Sequence, residues 1–423
     1  MTLKPLLTMV LLTLAAASPA QDAPVDLRGC FSNALAQSEA LASRQEDIRQ
    51  AEEHYKQAWG AVMPNLGLNY SYLHQDDHAY TFSAGSPQDA QTLKLSVGQP
   101  LFRGFREFQA ITQLKATIAA LGAARRWASM QLYQDLAQAY FQVLALEKDR
   151  DLVRDQVKLY DERIQDLKNR RSIGRSRDSE VLTVQAAQAL LQASSAQLDS
   201  QIAVAREILA FLTGKAPEQA LAGQEPLPAA AGDLAGYLKD AQGRPDLASA
   251  AQRIRAAEKG LEIAKGGHWP TADLLGNWYL ARPGSLKEVD WDLGVVATLP
   301  LFQGFTVPSK TREAESQLHQ AELDLQRQQR QVSDDVRSAH AQLSGDLAQV
   351  AALELAYDLS EKSYQSLKRD YNLGLSTNLD VLQALTSSRD AQRSLERARQ
   401  ATRNDLERLE AAAGRRLNLI GEE

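Results

Sequence analysis

Two periodicities alternate along this chain. Apolar residues recur every three or four positions in long segments, for example between Leu132 and Leu146, and this pattern predicts amphipathic helices. In shorter segments, such as Asn65–Leu73 and Asp273–Leu280, apolar and polar residues alternate, which predicts strands. Strands are expected at about 65–75, 92–102, 271–281 and 291–301. Helices are expected at about 26–60, 106–171, 178–213, 246–266, 309–371 and 378–413.

The chain also contains an internal duplication. The segment Leu41–Pro64 matches Leu247–Pro270 with ten identities in twenty-four positions, and the sequence Pro-Leu-Phe-x-Gly-Phe begins at both Pro100 and Pro300. Similarity that keeps one register over more than a hundred residues indicates two tandem copies, because chance resemblance between Ala-rich helices would lose its register. The first copy is six residues longer between these two motifs, which indicates a surface loop of variable length.

The duplication divides the chain into units. Repeat 1 is predicted to cover 21–214 and repeat 2 to cover 246–414. An equatorial linker, 215–245, is rich in Pro, Gly and Ala, and a C-terminal tail is expected at 415–423.

The first twenty residues predict export. Lys4 precedes an apolar stretch, Leu6–Ala17, and small residues continue to Ala20, which is typical of a secretory signal peptide at 1–20. No later apolar run has the length of a membrane helix, so a membrane-spanning part would have to be a closed β-barrel.

The predicted strands have the features of such a barrel. Each has roughly 9–11 residues, the length that crosses a bilayer when tilted, and carries Tyr or Trp or other apolar side chains at alternate positions. A soluble hairpin that packs one face on a core is the alternative, but the signal peptide and the polar hairpin tips favour the membrane. Four strands are too few for a barrel of about eight or more, so two, three or four copies must combine.

The predicted helices are longer than a membrane is thick. At about 1.5 Å per residue, the segment 106–171 is on the order of 100 Å long. Val184, Leu191 and Leu198 are spaced by sevens, which predicts coiled-coil packing of the helix that returns. The helices are therefore expected to project from the membrane as a bundle.

Composition and the lack of known motifs argue against several classes of function. A net charge of −6, with both signs interspersed, provides no basic stripe for nucleic acid. The six histidines lack metal-ligand spacing, Cys30 has no partner for an intrachain disulfide, and no nucleophile elbow, P-loop or dinucleotide motif occurs. Neither an enzyme nor a cofactor is expected. A periplasmic adaptor or structural coiled coil is a rival of another class, but two bilayer-length hairpins would then be unexplained.

Together these features resemble the TolC-type outer-membrane efflux protein family. The resemblance rests on the Ala-rich helices before Pro64 and Pro270, the Pro-Leu-Phe-x-Gly-Phe motifs, the segment Arg244–Leu247 and, most specifically, Tyr371–Leu382. It covers residues 26–414 and implies a mainly α chain with a membrane β-barrel. In such proteins a homotrimer forms a 12-strand β-barrel in the Gram-negative outer membrane, continuous with a periplasmic α-helical barrel.

The resemblance also implies a function and partners. It implies an exit duct of a tripartite efflux or type I secretion system, opened when a periplasmic adaptor and an inner-membrane transporter (RND, ABC or MFS type) dock at its periplasmic tip. Outer-membrane lipid would surround the barrel. The transported substrate would be chosen by the transporter, so the sequence does not name it.

Residue roles follow from the resemblance in the same way. The segments Ser172–Glu180 (turn 1) and Asn372–Asp380 (turn 2) would form the tip. The adaptor would meet residues of both turns, namely Gly174, Arg175, Ser176, Gly374, Leu375 and Ser376. Tyr371 would latch the closed state. The junctions between barrel and helices would lie at Pro64, Pro100, Gly104, Pro270, Pro300 and Gly304.

Asp380 and its counterpart Glu180 would line the pore entrance. Three copies of Asp380 around a constriction would favour cations and raise carboxyl pKa values by mutual repulsion. The alternative is that both acids simply stabilise the start of a helix through its dipole. The chain departs from some family members at Gln383, where these carry a second acid.

Overall fold

The computed structural model describes residues 24–75, 88–215, 220–222 and 226–416. The expected signal peptide, the tip of the first hairpin, parts of the linker and most of the expected tail lie outside the described residues. The described elements, in chain order, are α1 (Leu27–Gln37), α2 (Glu39–Gly60), β1 (Asn65–His74), β2 (Asp89–Phe102), α3 (Arg106–Ser172), α4 (Asp178–Thr213), α5 (Leu234–Asp240), α6 (Pro245–Lys265), β3 (Thr271–Ala281), β4 (Trp291–Thr298), α7 (Thr306–Asn372) and α8 (Asn378–Ala412).

Two of the helix predictions need correction. The helix expected at 26–60 is two helices, because Ser38 takes an extended conformation and its hydroxyl accepts a hydrogen bond from the Leu41 amide (3.3 Å). The seventh helix begins at Thr306 instead of 309, since Pro308 is tolerated within the first turn of a helix. The remaining helix ends differ by one residue at most from those expected.

Two strand limits also differ. β2 begins at Asp89, three residues earlier than expected, because Asp89 pairs with His74 of β1. β4 ends at Thr298 instead of 301. Its counterpart β2 continues to Phe102 because it also pairs with β3, with an irregularity around Pro100, whereas β4 has β3 as its neighbour on one side only among the described strands.

The four strands form one antiparallel sheet in the order β1-β2-β3-β4. Its register gives the two faces different chemistry. One rank of paired residues runs Leu68, Leu95, Trp278 and Trp291, and all four side chains are exposed. The adjacent rank, whose side chains point to the opposite face, runs Gly67, Ser96, Asn277 and Asp292. The sheet therefore has an uncovered apolar face and a polar face.

The helices form an elongated bundle in which α3 packs on α4, α7 packs on α8, and α3 also contacts α8. Apolar clusters lie along it, and the one nearest the two turns draws residues from both repeats, including Ile164, Val184, Tyr364 and Leu385. None of the helices in the described ranges is both long and apolar enough to cross a membrane.

The described part of the linker is held against the bundle. Val25 pairs with Leu221, and the Tyr140 hydroxyl donates to the Ala222 carbonyl (3.2 Å). At the other end of the linker, the buried guanidinium of Arg244 bonds the Asp246 carboxylate (2.7 Å) and the Ala412 carbonyl (3.2 Å). Arg244 thus ties the end of the linker, at the start of α6, to the C-terminal end of α8.

Candidate functional site

Turns 1 and 2 have the same backbone conformation at one end of the bundle. Gly174 has φ +72° and Gly374 has φ +80°, the left-handed region in which glycine carries no penalty. The Arg175 amide donates to the Arg170 carbonyl, and the Leu375 amide donates to the Asp370 carbonyl, both at 2.8 Å. These bonds close each helix end before the chain reverses, so the duplication extends to the detail of the turns.

The two expected entrance acids begin the returning helices. The Asp380 carboxylate accepts hydrogen bonds from the Thr377 amide (2.8 Å) and hydroxyl (2.6 Å), while the Thr377 hydroxyl accepts one from the Asp380 amide (3.2 Å). Glu180 accepts from the Arg177 amide (3.2 Å) and from the Ser176 hydroxyl. Asp380 therefore completes a reciprocal cap with Thr377 at the third residue of its helix. Glu180, at the same position of the other helix, caps the Arg177 amide in one direction only, because an arginine side chain has no hydrogen-bond acceptor.

This cap determines the charge of Asp380. Hydrogen bonds from the Thr377 side chain and backbone hold the pKa of the Asp380 carboxyl below its ordinary value. Within one chain the shift is opposite to the rise that we expected from repulsion between copies. Asp380 is half-exposed and carries its negative charge at neutral pH. Asp380 thus caps the start of α8, as the alternative expected, and at the same time it provides an ionised carboxylate at this end of the bundle.

Tyr371 lies between two arginines of the other repeat. The guanidinium carbons of Arg163 and Arg170, both on α3, lie 4.0 and 4.6 Å from the centre of its ring. Such stacking is worth about 0.5–2 kcal/mol, with the larger values where the cation is desolvated. Burial lowers the pKa of the Arg163 guanidinium, which still remains charged at any physiological pH.

The same arginines bond the residues on both sides of turn 2. Arg163 donates to the buried Asn378 side chain (2.9 Å), and Arg170 donates to the Asn372 side chain (2.9 Å). Asp166 holds both guanidinium groups at 3.1 Å. We call Arg163, Asp166, Arg170, Tyr371, Asn372 and Asn378 the inter-repeat latch. It ties the α7–α8 reversal to α3.

The family resemblance indicated Tyr371, whereas its arginine partners were not predicted. Arg163, Asp166 and Arg170 are spaced by three and four, so they lie on one face of α3 and form an ion-pair series. That spacing was readable from the sequence. The partners in the other repeat could not be predicted, because the pairing depends on how α3 faces the reversal between α7 and α8.

The other end of the bundle contains the expected junction residues. Pro64 and Pro270 directly precede β1 and β3. Pro100 lies within β2, and Pro300 lies between β4 and α7. Gly104 and Gly304 each precede a phenylalanine with positive φ, Phe105 (+59°) and Phe305 (+62°). Each of these phenylalanines packs edge-to-face on an aromatic ring three residues earlier, Phe102 or Phe302.

The described ranges contain no group of three or more His, Cys, Asp or Glu side chains that could hold a metal ion. Cys30 is buried beside Phe31 and Tyr133, and burial raises the pKa of its thiol to about 11. A thiol with such a pKa is not a nucleophile at neutral pH.

A model of the outer membrane efflux protein family matches residues 30–215 and 239–415. The chain belongs to the outer membrane efflux protein family. It is 25% identical over 351 residues to the alkaline protease secretion protein AprF of Pseudomonas aeruginosa, covering 79% of this chain and 72% of that protein. It is also 25% identical over 357 residues to the outer membrane protein TolC of Vibrio cholerae, covering 80% of this chain and 79% of that protein.

Solved structures show the same fold. The outer membrane protein VceC of Vibrio cholerae superposes with a TM-score of 0.79 at 22% identity, covering 92% of this chain and 96% of that chain. The predictions of the TolC-type family and of its fold, helices joined to a membrane β-barrel, are thereby confirmed. This efflux-family member is an outer-membrane channel for efflux or secretion, with a large periplasmic portion.

Proposed function

We propose that three copies of this chain form a passive exit duct across the periplasm and the outer membrane. The observation that carries the proposal is the two-faced sheet, with its apolar rank through Leu68 and Trp278 and its polar rank through Ser96 and Asn277. β1 and β4 lie at the two edges of the described sheet. Because open edges are costly in lipid, the edge of one copy is closed by the next, and three copies supply twelve strands.

In this assembly the apolar face contacts outer-membrane lipid and the polar face lines water. Trp278 and Trp291, paired near the outer end of the sheet, suit the interface between lipid and water. Repeats 1 and 2, at 21–214 and 246–414, each contribute one hairpin and one long helical pair. The junction residues, from Pro64 and Pro100 to Pro300, mark the passage from membrane to periplasm.

The inter-repeat latch is the proposed gate. Three copies of the latch would hold the α7–α8 ends together, with Asp380 and Glu180 around the narrow entrance. Opening would require Tyr371 to leave the two guanidinium groups and Asn378 to exchange its bond with Arg163 for water. The latch joins two repeats of one chain through side chains only, so it can be released without unfolding either helix pair.

Turns 1 and 2 are the proposed docking surface for a periplasmic adaptor and, through it, an inner-membrane transporter. Gly174, Gly374 and the exposed residues beside them lie at the extreme end of the bundle, where a partner can reach them. The names of the relatives include protease secretion and efflux, which supports a tripartite efflux or type I secretion system as the setting. The adaptor, not this chain, would trigger release of the latch.

Single-channel recording in planar lipid bilayers tests the duct and its gate together. Wild-type protein is expected to give small, uniform conductance steps. Arg163→Ala removes the buried stacking and the Asn378 bond, so its conductance is expected to rise severalfold. The matched control is Arg154→Ala, which breaks an ion pair between α3 and α4 inside one repeat (3.1 Å) and should conduct like the wild type. Absence of channels from both variants and the wild type would refute the duct, and equal conductance in all three would refute only the gate.

A further inference from the structure

Turns 1 and 2 share a backbone but differ in surface chemistry. Turn 1 presents Arg175 and Arg177, both exposed. At the same places in turn 2 the chain has Leu375, which is 76% exposed, and the uncharged Thr377. The two copies of the duplicated unit therefore differ at their outermost residues, where the side chains are exposed to solvent.

The two turn-1 arginines are not used within the described part of the chain. The neighbouring arginines are engaged, because Arg170 bonds Asp166 and Asn372, and Arg171 pairs with Asp178 at 2.8 Å. The guanidinium groups of Arg175 and Arg177, in contrast, make no ion pair inside the described ranges and point to solvent. Arg175 and Arg177, two residues apart in the chain, thus give turn 1 a cationic patch that no described residue neutralises through an ion pair.

Turn 2 presents a patch of the opposite kind. Leu373, Leu375 and Leu379 are all more than half exposed at the end of the bundle. Leu375 and Leu379 stand where turn 1 and the following helix have Arg175 and Ser179, whereas the counterpart of Leu373 is the exposed Ile173. The bond from Arg170 to Asn372 and the shared apolar cluster below hold turn 1 and turn 2 side by side. A single partner surface can therefore contact the cationic patch and the leucine patch at once.

From this arrangement we infer that turn 1 binds a carboxylate-bearing segment of a protein partner, while turn 2 binds an apolar segment. The inference rests on the proposed docking function and specifies its chemistry. A guanidinium fork recognises carboxylates bidentately, and the leucine patch gains by leaving water. Exposed charges of this kind add association rate and discrimination between partners, since a basic segment at turn 1 is repelled.

Photo-cross-linking in cells that export through this channel tests the inference. Ile173 and Leu373 are matched positions in turns 1 and 2, and both are exposed (65% and 73%). Benzoylphenylalanine is placed at one or the other, the adducts are purified, and the joined peptide is sequenced. We expect peptides rich in Asp and Glu from position 173 and mainly apolar peptides from position 373.

Charge reversal supplies the second measurement. With Arg175→Glu and Arg177→Glu in the same chain, the adduct at 173 is expected to fall about tenfold or more, whereas Arg175→Lys with Arg177→Lys retains most of it. Arg255→Glu, an exposed reversal on α6, should leave both adducts unchanged.

Each other outcome has a definite meaning. Three outcomes would overturn the inference but not the proposed channel function. They are adducts at position 173 without acidic residues, adducts that survive the charge reversal, and adducts to lipid instead of peptide. Absence of adducts from both positions contradicts docking itself, and with it that part of the proposed function.

Discussion

The carboxylate of Asp149 on α3 is bonded by the guanidinium of Arg393 on α8, with Nη2 and Oδ2 3.1 Å apart, although the two residues belong to different repeats. Arg397, one turn further along α8, bonds the same carboxylate. Asp149 is buried and Arg393 mostly buried. Asp149 precedes Arg163 and the rest of the inter-repeat latch along α3. The ion pair joins α3 to α8 at this earlier point of the helix.

Removal of the Asp149 charge is expected to destabilise the bundle. Asp149→Ala leaves a mostly buried guanidinium unpaired, and breaking such a pair costs about 3–5 kcal/mol. The control Asp199→Ala breaks the half-exposed pair with Arg154, where a cost below about 1 kcal/mol is expected. Thermal unfolding in detergent, followed by helical circular dichroism, compares the two. Equal unfolding midpoints for the two variants would show that the buried pair stabilises the bundle no more than the half-exposed pair does.

The Asp149 pair also has a defined pH dependence. Burial alone would raise the pKa of Asp149, but the hydrogen bonds from Arg393 and Arg397 outweigh it and lower the pKa. Its stabilisation is therefore complete above the ordinary carboxyl pKa of about 3.9 and is lost as the pH falls through the lowered value.

Asp405 on α8 is expected to have the opposite dependence. Burial, together with a hydrogen bond and repulsion from Asp346 of α7, raises its pKa to about 6. The folded chain then binds more protons than the unfolded chain between pH values of about 4 and 6, so stability falls as the pH rises through that range. Arg408 lies nearby and opposes the shift.

The substitution Asp405→Asn should remove this dependence. The unfolding midpoint at pH 7.5 is expected to rise by about 2 °C or more, and its slope between pH 4 and 7 should become flatter than in the wild type. Asp390→Asn, an exposed acid on the same helix, is the control and should change neither. A midpoint lowered by Asp405→Asn would mean that the charged carboxylate is stabilising and that the assignment is wrong.

Ion selectivity tests the role of Asp380. Asp380→Asn keeps an acceptor for the helix cap but removes the charge, and the reversal potential in a salt gradient should move toward that of a non-selective pore. Because the Thr377 hydrogen bonds lower the pKa of Asp380 within each chain, its negative charge and the cation preference should persist at neutral pH. Gln383→Asp, one turn further and exposed, should increase the preference. If Asp380→Asn leaves the reversal potential unchanged, Asp380 does not control selectivity.

Gly104 and Gly304, the matched glycines of the two junctions, should respond differently to substitution by alanine. A Cβ on Gly104 would lie 2.5 Å from the Gly266 carbonyl oxygen, whereas a Cβ on Gly304 would meet no atom within 4 Å. Both have positive φ, so each alanine carries a strain of roughly 1 kcal/mol. Gly104→Ala is expected to reduce the yield of folded, heat-modifiable protein far more than Gly304→Ala. Similar yields would show that the close approach at Gly104 can relax.

The sequence predicts what depends on local periodicity. The alternation through Leu66 and Leu68 gave the first strand, and the duplicated glycines gave both turns. The break at Ser38 was missed because one capping side chain interrupts an otherwise continuous helical pattern. Pairs such as Arg163 with Asn378 could not be predicted, since they depend on how two distant helices face each other and no spacing encodes that relation.

The site was predictable to a similar degree. Sequence resemblance indicated Tyr371 and Asp380, and the structure adds the partners that determine their state. The lowered pKa of Asp380 follows from Thr377, whose bond is readable only once the helix start is known. The pore role, the docking role and the number of copies stay predictions.

In the proposed duct, neighbouring copies close the sheet edges at β1 and β4 to form one pore. Native mass spectrometry of the complex, released intact from detergent micelles, counts the chains that do so. We expect a complex of three chains and therefore twelve strands around one lumen. A stable complex of two or four chains, or a folded monomer that conducts ions alone, would rule out this assembly.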